Sequence, residues 1–271
     1  MTDGTDMLTT RKTRWPALAG AAAAAATAIT LAAGTAAIAA AAPARPAPHS
    51  AQPAAAARAA ASYTPPGRTL APGTRGADVK ALQERLAALK YYPGAADGDF
   101  GASTQAALWA FQEINGVKAT GVVDTATKAR LVHPKAYKSP SYRGKRATRI
   151  EVDQHLEVLV LFDDNKVKLI SHVSSGGGYY YGAGARAVTP NGTYETTAFL
   201  PGWVQVPLGE MYNPVFFIGT LFAIHGDSYV PAGPASHGCV RVPMDIAAFF
   251  HTMVKTPGTQ VHVYGTPQWE R

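Results

Sequence analysis

The spacing of apolar residues changes along the chain and predicts two structural parts. Between residues 69 and 133, apolar side chains recur every three or four positions, as they do on a helix with one buried face. From Ile150 onward, apolar and polar positions alternate or β-branched residues form short runs, which is typical of strands. The pattern therefore predicts an α+β multidomain protein, in which a small three-helix domain precedes a mostly β domain.

The helical part contains a short internal repeat. A glycine, an apolar residue two positions later and a threonine six positions after the glycine occur twice, at Gly98, Phe100 and Thr104 and at Gly121, Val123 and Thr127. Each unit predicts a turn followed by a helix. The apolar faces of the first two helices are Val79, Leu82, Leu86 and Leu89, and Ala107, Leu108, Phe111 and Ile114.

The β part begins with a predicted hairpin over residues 150–173, whose turn is Asp163-Asp164-Asn165-Lys166. A buried strand over residues 216–224 then leads to His225. We expect Asp245 to cap a helix with an apolar inner face, and an alternating closing strand at residues 261–264.

The start of the chain has the composition of an export signal. A basic segment precedes an uncharged, alanine-rich run over residues 17–42, which is long enough to cross a bilayer as a helix. We expect residues 1–42 to be a cleaved signal peptide, with a retained membrane tether through residues 17–42 as the alternative, and the rest of the chain to be secreted. The predicted segments that follow are an Ala/Pro-rich disordered linker at 43–68, the helical domain at 69–133, a basic linker at 134–147 and the β domain at 148–266.

The formal net charge of +7 favours anionic partners. Nucleic acid is not an expected partner, because basic and aromatic residues are not interleaved and the chain carries an export signal. The run Gly176-Gly177-Gly178 is not followed by a helix, as a phosphate-binding loop requires, so no cofactor is predicted. We expect a mobile loop there, and Tyr180 is a candidate to line a substrate cleft.

The candidate chemistry centres on Ser236-His237-Gly238-Cys239, which contains the only cysteine of the chain. A thiolate is a strong nucleophile, and a nearby imidazole can take its proton. A second histidine, His225, lies fourteen positions upstream of Cys239. A single cysteine cannot form a disulfide within its own chain, so in an exported protein it is a candidate reactive group.

Other interpretations of this cysteine are open. Free cysteine is most often a buried small hydrophobe, although the polar neighbours of Cys239 argue against that here. Pairing with a cysteine of another chain is a second alternative. A zinc hydrolase is a third, because His225, Asp227, His237 and Cys239 are residue types that bind zinc. A His-Gly-Cys turn strains tetrahedral geometry, however, so we expect no metal.

At these residues the β part resembles the YkuD-type L,D-transpeptidases, which remodel bacterial peptidoglycan through an active-site cysteine. The resemblance spans roughly Arg149 to Gly265 and rests on three motifs, which are His225-Gly226, Ser236-His237-Gly238-Cys239-Val240-Arg241 and Thr189-Pro190-Asn191-Gly192. The helical part resembles peptidoglycan-binding domains of the PG_binding_1 type through Gly76-Ala77-Asp78-Val79, Leu82-Gln83, Asp97-Gly98, Phe100-Gly101, Thr104, Phe111-Gln112 and Gly121-Val122-Val123.

The resemblance implies that Cys239 is acylated by a peptidoglycan stem tetrapeptide and transfers it to an amine of a neighbouring stem. With water as the acceptor, the enzyme would be an L,D-carboxypeptidase. The implied base is His225, with His237 as a supporting or alternative base, and the Gly238 N–H is a candidate oxyanion donor. Candidate substrate-binding residues are Ser236, Arg241, Gly226 and Tyr180.

Three points stay open at this level. Arg241 is suited to binding a substrate carboxylate, but a structural role is equally compatible with its position. Acylation of Cys239 by β-lactams is a candidate side reaction. A catalytically idle peptidoglycan-binding protein is the alternative to an enzyme.

Overall fold

The computed structural model describes residues 63–140 and 148–270, all of which belong to one compact unit, His49–Arg271. The predicted signal or anchor segment at 1–42, most of the 43–68 linker and residues 141–147 of the basic linker lie outside the described residues. Within the described ranges, no helix is long and apolar enough to span a membrane.

Three helices form before the β part in the described chain, as the apolar spacing predicts. They are α1 (Ala77–Ala88), α2 (Ala102–Asn115) and α3 (Thr125–Val132). Helix α2 ends at Gly116, whose φ of 66° is a left-handed conformation that glycine adopts without strain. Helix α3 begins at Asp124, whose carboxylate accepts the Thr127 N–H at 2.8 Å.

The repeat in the helical part has a structural basis. The side-chain amide of Gln83 accepts the Gly98 N–H at 2.9 Å and donates to the Thr104 hydroxyl at 3.1 Å. The equivalent set in the second unit is Gln112, Gly121 and Thr127, with both distances 2.9 Å. A buried glutamine therefore ties each glycine turn to the helix after it.

The β part is built mainly from two five-stranded sheets in the described residues. The strands of the first sheet are β1 (Arg149–Asp153), β2 (Val158–Asp163), β3 (Lys166–His172), β6 (Gly192–Glu195) and β12 (Gln260–Tyr264), in the order β3-β2-β1-β12-β6. Those of the second are β7 (Ala198–Phe199), β8 (Trp203–Val206), β9 (Gly209–Ile218), β10 (Phe222–Asp227) and β11 (Val240–Pro243), with β10 central between β11 and β9. A two-stranded ribbon joins β4 (Tyr180–Tyr181) and β5 (Ala185–Arg186).

Two details differ from the sequence-based expectations. The first arm of the predicted hairpin is two strands, β1 and β2, because a turn at residues 154–157 reverses the chain between them. The last α-helix, α4 (Met244–Phe250), begins before Asp245, which therefore lies in its first turn and does not cap it. The closing strand β12 forms as predicted and pairs with β1 in parallel.

The helical part and the first sheet share one apolar core. Strand β2 is apolar on both faces because each face is covered. Leu159 and Leu161 pack in the core of the β part, whereas Val158, Val160 and Phe162 pack against the helices. The Ile170 N–H of β3 also donates to the Lys90 carbonyl, just after α1, at 2.8 Å. The predicted boundary near residues 134–147 therefore separates two sequence patterns that fold around a common core.

Candidate active site

Cys239 and His225 are brought together by two parallel neighbouring strands. Cys239 directly precedes β11, and β11 pairs with β10 so that Val240 lies opposite Ile224 and Arg241 lies opposite His225. Side chains alternate between the faces of a sheet. His225, Cys239 and Arg241 therefore project from the same face of the second sheet.

The geometry of His225 leaves one ring nitrogen available as a base. Its ring is buried, with 4% of its surface exposed, and Nδ1 lies 3.0 Å from the Gly226 carbonyl oxygen. Because a carbonyl only accepts, Nδ1 carries the proton and Nε2 is the unprotonated nitrogen. Burial also lowers the pKa of His225, so its imidazole is neutral at neutral pH.

The thiol of Cys239 is also neutral in the resting site. Its side chain is half-buried, and Sγ lies 3.9 Å from the Leu221 carbonyl oxygen. Burial raises the pKa of this thiol, and the Ala223 backbone and the positive charge of Arg241 oppose that effect only in part. For Cys239 to act as a nucleophile, a base must therefore remove the proton of its thiol.

These side chains line a cleft of about 490 Å³ in the second sheet. Its walls are largely apolar, and the residues that form them include Val206, Leu208, Met211, Leu221 and Phe222. The main charged feature is an ion pair between Arg241 Nε and Asp227 Oδ2 at 3.0 Å, with both side chains mostly buried. Arg241 is thus already paired within the protein, which supports a structural role for it at least in the unliganded site.

His237 lies at the edge of the cleft between two tyrosines. Its ring makes edge-on contacts with Tyr179 and Tyr181, with ring centroids 5.5 and 4.8 Å away. Tyr181 lines the cleft. The expectation that Tyr180 would do so is wrong, because successive residues of β4 point to opposite faces; Tyr180 is 72% exposed, beneath the Arg186 guanidinium.

The segment Ala235-Ser236-His237-Gly238-Cys239, called here the nucleophile turn, is held by its own polar groups. Ser236 is 1% exposed, and its hydroxyl donates to the Cys239 carbonyl at 2.5 Å and accepts the Gly238 N–H at 2.9 Å. The Gly238 N–H is therefore not free to bind an oxyanion, contrary to the expectation from sequence. Ser236 organises the turn, and its hydroxyl has no capacity left to donate to a substrate.

Gly226 and Gly238, which are next to His225 and Cys239, allow close packing. At Gly226 an added Cβ would lie 2.7 Å from the Ala247 side chain of α4, so this glycine allows β10 to pack closely against the helix, and it is not among the residues that line the cleft. At Gly238, φ is 142° and an added Cβ would lie 2.6 Å from the Phe222 ring. The Thr189 hydroxyl donates to the Gly238 carbonyl at 2.7 Å, which explains why the Thr-Pro turn belongs to the site.

The zinc interpretation requires several ligating side chains grouped around one point. In the part of the chain that the structure describes, no group of three or more His, Cys, Asp or Glu side chains is arranged to hold a metal ion.

Two other features of the site were not predicted from the sequence. These are the pairing of Asp227 with Arg241 and a buried contact between Glu157 and Ser175 behind the nucleophile turn. The alternation of β10 places Asp227 on the face of His225 and is the one sequence signal that points to either.

Comparison with known proteins agrees with this geometry. Residues 75–131 match the family described as a peptidoglycan-binding domain, and residues 147–263 match the L,D-transpeptidase catalytic domain. A solved L,D-transpeptidase from Xylanimonas cellulosilytica is 36% identical, with 74% of this chain and 100% of that chain covered and a TM-score of 0.67. A comparison with curated proteins found no match.

More distant similarities extend to two other solved structures. One is an L,D-transpeptidase from Stackebrandtia nassauensis, with 22% identity, 76% of this chain and 98% of that chain covered and a TM-score of 0.45. The other is from Mycobacterium smegmatis, with 20% identity, coverage of 44% and 59% and a TM-score of 0.37. The assignment rests on the 36% identical structure and the two domain matches: this chain belongs to the L,D-transpeptidase family and carries its catalytic domain after a helical peptidoglycan-binding domain.

Proposed function

We propose that this L,D-transpeptidase crosslinks peptidoglycan through an acyl-enzyme on Cys239. The Sγ attacks the carbonyl carbon that joins the third and fourth residues of a stem tetrapeptide, and the fourth residue leaves as an amine. An amine of a neighbouring stem then attacks the thioester, so that a new amide forms and the thiol is released. The observation that carries this proposal is the neutral imidazole of His225 on the same sheet face as the neutral thiol of Cys239.

His225 performs the proton transfers in this scheme. Its Nε2 takes the thiol proton as Sγ attacks and gives it to the departing amine, and the reverse transfers occur when the acceptor amine attacks. The Gly226 carbonyl accepts from Nδ1–H and stabilises the imidazolium that forms. His237, held between the tyrosines, supports the shape of the cleft and is the alternative base.

The oxyanion donor follows from the hydrogen bonds of the nucleophile turn. Because the Gly238 N–H donates to Ser236, we assign the oxyanion contact to the backbone N–H of Cys239 itself. A backbone donor beside the nucleophile is the usual arrangement in acyl transfer, because it needs no reorganisation during the reaction.

The helical domain supplies the second part of the proposed function. Its family match supports binding to peptidoglycan, which would keep the catalytic domain close to its polymeric substrate. We propose that the enzyme works outside the cytoplasm, either secreted or tethered through residues 17–42, because the basic and alanine-rich start of the sequence is typical of exported proteins.

Mass spectrometry of reaction products tests the proposal. The chain from residue 43 onward and its Cys239→Ala variant are incubated with purified disaccharide-tetrapeptide. A cysteine-dependent dimer that lacks one terminal residue is the expected product. A cysteine-dependent tripeptide monomer would instead establish the L,D-carboxypeptidase, and an unchanged substrate with both proteins would favour a non-catalytic binding protein.

A second measurement addresses β-lactams. A thiol that opens an amide would also open a strained lactam ring, so we expect incubation with a carbapenem to increase the intact mass by one drug molecule. The Cys239→Ala variant should keep its original mass. Labelling of both proteins would place the modification elsewhere.

A further inference from the structure

A buried carboxyl group lies behind the nucleophile turn and has no part in the proton transfers described above. Glu157 ends the β1–β2 turn, and its side chain is fully buried. Its Oε2 accepts the backbone N–H of Ser175 at 2.6 Å, and its Oε1 lies 2.5 Å from the Ser175 hydroxyl. Both oxygens of this buried carboxyl are thus hydrogen-bonded to the same serine.

Ser175 in turn forms backbone hydrogen bonds with the nucleophile turn. Its carbonyl oxygen accepts two backbone N–H groups of the turn, from Ala235 at 3.0 Å and from Ser236 at 2.9 Å. The hydroxyl of Ser236 in turn donates to the carbonyl of Cys239. An unbroken chain of hydrogen bonds therefore runs from Glu157 to the residue that carries the thiol.

The backbone of Glu157 is strained, and the surrounding hydrogen bonds hold it in the conformation that places its side chain against Ser175. Glu157 has a φ of 48°, a left-handed conformation that is unfavourable for a residue with a side chain. The turn that carries it is held by Asp153, whose Oδ1 accepts the N–H groups of His155 and Leu156 at 2.9 and 3.2 Å. The Glu157 carbonyl accepts the Val173 N–H at 2.9 Å, which joins this turn to the segment that leads to Ser175.

From this chain of contacts we propose that Glu157 is a positioning residue, which holds the nucleophile turn in its reactive shape through Ser175 and Ser236. It touches neither the substrate cleft nor the thiol, so it acts only through these two serines. The inference concerns the architecture of the site and rests on the proposed function only for the turnover measurements below.

The proton of Glu157 matters for this role. Burial raises the pKa of Glu157 from 4.5 to about 8. The two hydrogen bonds from Ser175 oppose this effect, and the carboxylates of Asp153 and Glu113 add to it. The other titratable group close by is His172, which burial keeps neutral with a pKa of about 4. In the structure the Ser175 hydroxyl donates to Oε1 and the Ser175 N–H donates to Oε2. A hydroxyl can also accept, so the neutral carboxyl that prevails at neutral pH can reverse the first bond and donate to Ser175 while it still accepts the Ser175 N–H. A glutamine side chain can make the same two bonds.

The test uses the alkylation of Cys239 by iodoacetamide as a function of pH, which needs no natural substrate and reports one site because the chain has one cysteine. We expect the wild-type rate profile to show an inflection near pH 8 in addition to the ionisation of the thiol. The Glu157→Gln variant should match the wild-type rate at pH 7 and lack that inflection. Identical profiles for these two proteins, together with a wild-type alkylation rate for Glu157→Ala at pH 7, would overturn the proposal.

Turnover of disaccharide-tetrapeptide supplies the second readout. Glu157→Ala should lower kcat by about tenfold or more with KM within about threefold, because a small displacement of a nucleophile costs rate more than binding. Val152→Ala, a variant of a fully buried residue of β1 that makes none of the hydrogen bonds between Glu157 and Cys239, is the control for loss of stability. Equal kcat in Glu157→Ala and Val152→Ala at matched stability would show that Glu157 is merely structural. If the wild-type protein fails to turn the substrate over, the proposed function fails, and the alkylation profiles still decide the role of Glu157.

Discussion

Replacing Gly238 with alanine should disrupt the nucleophile turn for two separable reasons. The first is backbone strain, because φ at this position is 142°, and such a conformation costs a residue with a side chain about 1–3 kcal/mol. The second is steric. The new Cβ would lie 2.6 Å from the Phe222 ring and 2.7 Å from the Val188 carbonyl oxygen. Overpacking of a fixed site costs about 1–3 kcal/mol, so the two effects together predict a loss of about 2–6 kcal/mol in the free energy of unfolding.

Gly258 provides a matched control for the strain alone. Its φ is 109°, and an added Cβ would meet no atom within 4 Å. Gly258→Ala should therefore lose only about 1–3 kcal/mol and keep its activity, since the residue lies outside the cleft. Urea denaturation measures the stability of both variants, and alkylation of Cys239 together with turnover measures the state of the turn.

The two variants should differ both in stability and in turnover. Gly238→Ala must lose more stability than Gly258→Ala, and turnover must fall even under conditions where the protein is folded. Equal losses of stability, or full turnover by folded Gly238→Ala, would refute the claim that contact with Phe222 and Val188 shapes the turn.

Three further predictions concern the base, the cleft and the shared core. His225→Gln should reduce kcat/KM by about 10²–10⁴-fold. In the wild-type protein, kcat/KM should rise with pH through a midpoint below the ordinary imidazole value of 6.5, because burial lowers the pKa of His225 and only the neutral ring accepts a proton; a midpoint above that value in initial-rate measurements would contradict the assignment. Tyr181→Ala should raise KM severalfold while Tyr180→Ala leaves it unchanged, because only Tyr181 lines the cleft, and the opposite order in steady-state kinetics would contradict this. The full chain should unfold in one calorimetric transition, and two independent transitions would argue against a shared core. The chain from residue 134 onward should be markedly less stable, because removing the helices exposes the outer face of β2. Each large apolar side chain exposed in this way should lower the free energy of unfolding by about 1.5–3 kcal/mol.

Much of the fold could be predicted from local patterns. The three- and four-residue spacing of Val79, Leu82 and Leu86 places them on one helix face, and all three are fully buried. The internal repeat identifies two equivalent turns, and the structure adds Gln83 and Gln112 as the residues that hold them. These helix faces and turns depend on residues within about twenty positions of one another, so they can be predicted from the sequence.

The candidate site was predictable in its members but not in their contacts. The Ser-His-Gly-Cys motif and His225 identify a candidate nucleophile and a candidate base, because the motif contains the only cysteine of the chain beside polar residues. Which atoms remain free is a matter of geometry. From the sequence, the Gly238 N–H is a candidate oxyanion donor, but in the structure it donates to the Ser236 hydroxyl at 2.9 Å. Tyr180 and Tyr181 are equivalent in composition, and only the orientation of β4 tells which of them lines the cleft.

The amino-acid sequence by itself determined that three helices precede a mostly β part, the family resemblance and the candidate reactive thiol, because each of these depends on periodicity or on a short contiguous motif. The tertiary structure decided how distant segments meet. It placed Glu157 against Ser175, Asp227 against Arg241 and the outer face of β2 against the helices. Such contacts depend on strand register and on the direction of each side chain. A register shift of one residue would move every side chain of a strand to the other face, so these contacts follow only from the folded chain.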